Sequence, residues 1–415
     1  MIVTETRYLQ FEGLDHPVAL EEVAPLTPLI STILEAWPHQ DTETPASSPP
    51  FVSLRPLGED LWQVTTADAG QAPRRWDGLN AVCDLVAEMA WERLRSDPGL
   101  LCLHAAAVDF GGRLVVFPNA RRAGKSTQAI ALARLGLPLY TDDFLPLQIE
   151  ADSGLCSGVA NGVLPRLRLP LYDGVSPEFR TAMDRDPGPA NRQYKYLSDL
   201  PVAPWGESCP LGAMVVLDRQ NAPTPPALCP IAREDALASL VAQNFARTRH
   251  AGAILRTIDL VTRHMPIYRL RYHCAEEAAA HLVSHPALQG LAATRLPEVA
   301  QDDRLAPLER PAPAATVLAP DQGYQQAHGV TATMAGADCF LADGSGRGIF
   351  RLNPVSSAIW SLLEEPTDLA EVTEILCAAY PDVPADRISA DCARLMRDLA
   401  QAQLIHPVQN AAVAP

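Results

Sequence analysis

Apolar and polar residues alternate along this chain at two different periods, and the period changes from segment to segment. Over Asn80–Arg95 the apolar positions Val82, Leu85, Val86, Met89 and Trp91 fall at helical spacing, which predicts a helix with one buried face. Leu103–Asp109 then reads as a strand, Gly111-Gly112 as a tight turn that takes positive φ, and Arg113–Pro118 as a second strand. A helix over Lys125–Leu135 follows, then a short buried strand, Leu137–Thr141. Further strands are predicted at Ala213–Asp218 and Pro266–Tyr272. Strands and helices in this order predict an α/β or α+β domain around a mixed sheet.

Beyond about residue 328 the pattern is different. Val330–Leu352 reads as two strands joined at Ala342-Asp343-Gly344-Ser345-Gly346, and three helices follow. The first begins at Asn353-Pro354, an N-cap with proline at the first helical position. The second begins at Asp368, with Glu371 three residues on as a capping box. The third carries the stripe Ile388, Cys392, Leu395 and Leu399. A hairpin and three short helices predict a small winged-helix-like unit.

Three stretches rich in proline or polar residues punctuate the chain: 38–50, 180–192 and 286–320. The last is the longest, and its mixture of Ala, Pro and charge suits a semi-extended linker. The expected organisation is an N-terminal α/β region over 1–100 with no assignable role, a catalytic domain over 101–285, a linker over 286–327 and a small domain over 328–407. No internal repeat is present.

Composition narrows the function. Hydrophobic residues make up 47% of the 415 positions and charged residues 20%, which suits folded domains with buried cores. A formal net charge of −16 argues against a general nucleic-acid binder. Residues 329–407 alone hold eleven acids against five Arg and no Lys, a charge that opposes phosphate backbones. No apolar run reaches the ~18–20 residues of a membrane span, and the N-terminus lacks the pattern of a secretory signal. Nine cysteines with no CxxC pair point to reduced thiols in a cytoplasmic protein rather than to disulfides or a zinc ribbon.

The candidate chemistry lies between Leu103 and Leu147. Asn119-Ala120-Arg121-Arg122-Ala123-Gly124-Lys125-Ser126 has the spacing of the phosphate-binding GxxxxGK[ST] loop, with Asn119 in place of the first glycine. Asparagine tolerates left-handed backbone angles, so it is an acceptable substitute there. A strand before the loop and a helix after it would aim backbone N–H groups at phosphate oxygens. Asn119 to Thr127 thus form the expected nucleotide-binding stretch. Lys125 would reach the β and γ phosphates of ATP, and the Ser126 hydroxyl would ligate Mg²⁺. Asp142-Asp143 ends the next strand, and an acidic pair there suits two jobs: holding Mg²⁺ and accepting a hydroxyl proton. His104 precedes Lys125 by twenty-one residues. A second cluster, His273, Cys274, His281 and His285, has two histidines four apart. It lacks the glutamate of a metalloprotease motif and reads as a solvated helix.

The order His-Ala, strand, GKS, strand, Asp-Asp resembles the catalytic core of the HPr kinase/phosphorylase family. The match is close over Leu103–Leu147 and looser through Val163–Pro170 and Ala213–Asp218. The resemblance implies ATP on the loop, Asp143 as the base, Asp142 beside Mg²⁺, and His104 near the transferred phosphate. Exchange of the two aspartates stays open. Arg166 and Arg168 stand where that family has a basic, glycine-containing segment, although Pro165 precedes them here and no glycine lies within the segment. Arg192 and Lys195 are further candidates to face phosphate. Residues from about 330 to 406 resemble the PqqD family through Phe350-Arg351-Leu352-Asn353, Ala358–Leu363, Ile375, Tyr380 and Leu404-Ile405. That resemblance implies recognition of the leader of a ribosomally made precursor peptide, docked as an added strand.

Together these readings predict a cytoplasmic kinase of HPr-kinase type. It would phosphorylate a Ser or Thr hydroxyl of a precursor peptide, as enzymes that tailor lasso peptides do, with the leader held by residues 328–407. Neither nucleic acid nor membrane is expected as a partner, and a homo-oligomer is left open. Two alternatives remain: a kinase of a small hydroxyl substrate such as free serine, and a nucleotide-binding chaperone that presents peptides.

Overall fold

The computed structural model describes residues 6–22, 25–43, 48–97, 100–119, 122–245, 249–297, 318 and 322–408. Most of the 286–327 linker lies outside the described residues, and so do Ala120 and Arg121 of the candidate loop. The chain is a mixed α/β protein that divides into two compact units, 1–231 with 242–246 and 264–299, and 232–241 with 247–263 and 300–415.

The first unit opens with β1 (Thr6–Phe11), β2 (Val18–Glu21), α1 (Thr27–Ile33), β3 (His39–Thr42), β4 (Val52–Gly58), β5 (Leu61–Thr66), β6 (Arg74–Trp76) and α2 (Gly78–Ser96). The strands form one sheet in the order β3-β1-β2-β4-β5-β6, antiparallel except for the parallel β2–β4 pair. The helix α2 starts where the Asp77 side chain accepts the backbone N–H of Asn80. Its predicted apolar face, including Val82, Leu85, Val86 and Met89, is buried.

The second sheet is built from β7 (Leu101–Leu103), β8 (Ala105–Asp109), β9 (Leu114–Pro118), β10 (Leu139–Thr141), β11 (Leu145–Ile149), β12 (Cys156–Val159), β15 (Ser208–Arg219), β16 (Ala227–Pro230) and β17 (Ile267–Tyr272). Between them run α3 (Lys125–Ala133), the two-stranded ribbon β13 (Arg166–Arg168) and β14 (Tyr194–Tyr196), and α4 (Pro177–Arg185). The segments α5 (Arg233–Gln243) and α6 (Ala251–His264) precede β17, and α7 (Ala275–Ser284) follows it. The strand order is β10-β8-β9-β15-β12-β11-β7, with β17 parallel to β15 and β16 on its far side. The long strand β15 joins the two halves: Ser208–Pro210 pairs with β12, Leu211–Met214 with β9 and Met214–Arg219 with β17.

Three findings depart from the sequence expectations. The strand 103–109 breaks at His104, because β7 pairs with β11 while β8 pairs with β9 and β10. The stretch 180–192, expected as irregular punctuation, begins inside α4. Ser176 caps that helix, Pro177 starts it, and Phe179 and Met183 bury one face. Strand β3 likewise falls within the proline-rich 38–50 stretch. The Gly111-Gly112 turn is as expected: both take positive φ, and the Asp109 carboxylate accepts the N–H groups of Gly112 and Arg113.

Helix α3 packs into one core with Val115 and Phe117 of β9, Tyr272 of β17, and Ala278 and Leu282 of α7. That burial fixes its N-terminus at the end of β9, where the candidate site lies.

The second unit contains β18 (Tyr324–Gln326), β19 (Thr331–Ala335), β20 (Asp338–Ala342), β21 (Ile349–Leu352), α8 (Pro354–Leu362), α9 (Leu369–Ala379), α10 (Ala385–Gln401) and β22 (Ile405–Pro407). Where two strands were expected over 330–352 there are three, in an antiparallel sheet β19-β20-β21. The extra turn is at Gly336, which has φ +57°. Asn353 and Asp368 cap α8 and α9 through the N–H groups of Ser356 and Glu371, as their sequences predict. Leu341, Leu352, Trp360, Cys392 and Met396 form the centre of this unit's core. Residues of α5 and α6 belong to the same unit. Arg233 donates to the Met334 carbonyl at 3.1 Å and pairs with Asp259, and Arg256 donates to Thr331 Oγ1 at 3.3 Å. These contacts lie on β19. On the opposite edge, β21 pairs only with β20 among the described residues.

Candidate functional site

The loop between β9 and α3 is held by its own first residue. Asn119 is buried. Its side-chain amide donates to the Leu217 carbonyl at 3.0 Å and accepts the Leu217 N–H at 2.8 Å, which ties the loop to β15. The expected reason for an asparagine here was left-handed backbone tolerance, and that is not its role. Among the described loop residues the positive φ values belong to Arg122 at +68° and Gly124 at +100°. Lys125 is buried, and its ammonium donates to the Asn119 carbonyl at 2.7 Å, closing the loop on itself. Gly124 is the N-cap of α3, so the first turn presents its free N–H groups to the loop's interior.

Beside this loop, β10 ends at Thr141 and releases the acidic pair. Asp142 is buried and Asp143 has a 37% accessible side chain. The turn is braced from below. Asn161 donates to Thr141 Oγ1 at 2.8 Å and to the Phe144 carbonyl at 3.2 Å, and Thr141 Oγ1 accepts the Asp143 N–H at 3.1 Å. Asn161 was missed in the sequence, where a lone asparagine after a short strand gives no signal.

The two carboxylates face different surroundings. Asp142 accepts the Arg166 N–H at 3.3 Å, and the nearby Ser126 hydroxyl and Arg166 charge favour its ionised form. Burial, helped by the charge of Asp143, pushes Asp142 up to about 6. For Asp143 burial again acts upward, but it is outweighed. The His104 hydrogen bond and the charges of Arg166, His104 and Lys125 hold this carboxyl well below the usual range. The contacts are short: Arg166 Nη2 to Asp143 Oδ2 is 2.8 Å, and His104 Nε2 to Asp143 Oδ1 is 3.2 Å. His104 sits at the break between β7 and β8, with Nδ1 3.2 Å from Gln243 Oε1. Gln243 is 139 residues away in sequence, and nothing local marks it as a partner. The acidic pair, Asn161, Arg166 and Tyr196 line a small cleft.

Of the predicted residues, Lys125, Ser126, Asp142, Asp143 and His104 are thus brought into one connected set. Arg166 joins them, its guanidinium also lying 5.1 Å from the centroid of the Tyr194 ring. Arg168 is exposed and bonds to the Tyr194 hydroxyl at 3.0 Å. Lys195 donates to the carbonyls of Asp186 and Gly188, a structural task, and Arg192 is exposed. In the second cluster the His281 and His285 rings are 5.1 Å apart, and His273 bonds to the Gln220 carbonyl. Among the described residues no group of three or more His, Cys, Asp and Glu side chains is spaced to hold a metal ion.

The C-terminal unit contains a PqqD-type domain: residues 338–405 match the family described as coenzyme PQQ synthesis protein D. No curated protein sequence matches the chain. Solved structures similar to parts of it include TbiB1 in complex with the TbiA(beta) leader peptide. That chain is 27% identical, with 21% of the present chain and 99% of the other covered and a TM-score of 0.19. Another is the Hpr(Ser) kinase/phosphatase from Coxiella burnetii, 15% identical, with 43% and 89% covered and a TM-score of 0.22. No helix among the described residues is long and apolar enough to cross a membrane.

Proposed function

We propose that this protein is an ATP-dependent kinase that phosphorylates a Ser or Thr hydroxyl of a ribosomally made precursor peptide, with the leader bound by residues 328–407. The observation that carries the reading is the joined set at the end of β10. An ionised Asp143 is held by His104 and Arg166 next to a buried Asp142, whose charge is favoured by Ser126 at the start of α3. The match to PqqD at 338–405 supports the peptide part.

The residues fit the roles. Lys125 and the N–H groups of the first turn of α3 bind the phosphate chain. Ser126 Oγ and the Asp142 carboxylate are adjacent oxygen donors of the kind a hard divalent cation takes, so they are the residues that would hold Mg²⁺. A divalent cation held by these residues would supply charge neutralisation for the β and γ phosphates. Asp143 accepts a hydrogen bond from the acceptor hydroxyl and aims its oxygen at the γ-phosphorus. The new O–P bond forms as the bond to the β-bridging oxygen breaks, ADP leaves, and the hydroxyl proton passes to Asp143. A carboxylate of low basicity is adequate, because in a loose transition state positioning and electrostatics supply most of the rate. The leader adds as a strand to the β21 edge, where backbone bonds give affinity and side-chain pockets give selectivity.

The direct test is intact-mass spectrometry of a precursor peptide whose leader binds residues 328–407, incubated with protein, ATP and Mg²⁺. A gain of one or more phosphates, lost in Asp143→Asn and Lys125→Ala, is the expected result. No phosphate on a peptide that still docks, while ATP still binds, would replace the kinase with a peptide-presenting chaperone.

A further inference from the structure

The acidic pair occupies one flank of the loop, on the side of β8 and β10. On the other flank, β15 and β17 end at Arg219 and Tyr272. Three observations concern this second flank. Arg219 is half-buried, its guanidinium stacked 4.3 Å from the centroid of the Tyr172 ring, and it makes no ion pair or hydrogen bond among the described residues. The neighbouring Arg271 is engaged differently, lying 3.8 Å from Asp218. Tyr272 is fully buried, and its hydroxyl has no hydrogen-bond partner among the described residues. Both groups converge on the loop. A Cβ on Gly124 would lie 2.7 Å from Tyr272 Oη and 3.8 Å from Arg219 Nη1, so only glycine, at φ +100°, admits this approach.

We infer that Arg219 and Tyr272 form the nucleoside-side anchor of the nucleotide, with Arg219 on the α-phosphate and the nucleoside leaving along the Arg219–Tyr172 stack. The inference rests on the kinase reading and deepens it by giving the phosphate chain a direction. A guanidinium without a carboxylate, held rigid on an aromatic face, is a preorganised anion site. A buried hydroxyl without a partner is destabilising, and a phosphate oxygen on the loop would supply the missing partner. The γ-phosphate is thereby directed to the opposite flank, where Asp143 and the acceptor meet. The substrate class this selects is a nucleoside triphosphate rather than an inorganic polyphosphate.

The test is calorimetric binding to the full-length protein in Mg²⁺, with ATP and with inorganic pyrophosphate, which occupies only the β and γ positions. Arg219→Met keeps the stem on Tyr172 and removes the charge. It is expected to weaken ATP at least tenfold and to leave pyrophosphate unchanged. Tyr272→Phe should weaken ATP severalfold without lowering the melting temperature. In turnover, Arg219→Met should raise KM for ATP with kcat little altered, the sign of a binding rather than a chemical role. Equal weakening of both probes in Arg219→Met would reverse the direction and overturn the inference. So would no weakening of ATP while Lys125→Ala still weakens both probes. If Lys125→Ala binds both probes as the wild type does, the phosphate-loop reading itself fails, and this inference with it.

Discussion

Asp142 and Asp143 are neighbours in sequence, yet they respond to pH in opposite senses. Asp142 is pushed up to about 6, first by burial and then by the charge of Asp143. As pH falls through 6 it takes a proton and could no longer fill the cation-holding role proposed for it, so on that reading kcat/KM should fall about tenfold per unit below that point. Stability moves the other way. The folded value lies above the ordinary 3.8, so the folded state binds the proton first, and stability is gained as pH is lowered from about 6 toward 4. Asp142→Asn should therefore abolish transfer while stabilising the fold at pH 7.5 by about 1–3 kcal/mol, a gain that shrinks at pH 4.5. Urea unfolding at the two pH values checks this. For Asp143 the folded value is below the ordinary one, so its contribution is present at neutral pH and is lost only in strong acid. Gln243 meets His104 at 3.2 Å, and on the proposed mechanism it would position that ring. Gln243→Leu should then lower kcat about 10- to 100-fold with KM for ATP unchanged. An unchanged kcat would leave Gln243 with only a packing role.

At the scale of elements, what could be read from sequence was what local chemistry decides. The Gly111-Gly112 turn, the start of α3 and the caps Asn353 and Asp368 each follow from a residue and its near neighbours. The acidic pair and the lysine were legible for the same reason. What could not be read was decided by partners far along the chain. The break at His104 exists because β7 and β8 take different neighbours, and Arg166 meets Asp143 across 23 residues through the β13–β14 ribbon. Asn119 shows both sides: its place in the motif was evident, but its clamp on Leu217, 98 residues away, was not. Asn119→Gly restores the common motif and yet removes two buried hydrogen bonds. It should cost roughly 1–3 kcal/mol in stability, and ATP affinity should fall with it. Thermal unfolding and ATP titration of this one variant test the clamp; an unchanged melting temperature would argue against it.

At the scale of the whole molecule, the two compact units are built from interleaved stretches of chain. Residues 232–241 and 247–263 run between β16 and β17 of the second sheet in sequence, but they fold with the C-terminal unit. A fragment starting at residue 318 therefore lacks α5 and α6, which meet β19 through Arg233 and Arg256. It should be less stable than the same residues within the full chain, as chemical denaturation of the isolated fragment would show. The sequence suggests a semi-extended linker over 286–327 as the join between the two domains. The contacts of α5 and α6 with β19 supply a second join. If a protease site is placed between 297 and 322 and cut after folding, the two pieces should remain a single particle on a sizing column, held by a seam both of whose sides the nicked protein still possesses. Leader docking would then survive the loss of the last peptide bond joining the two halves.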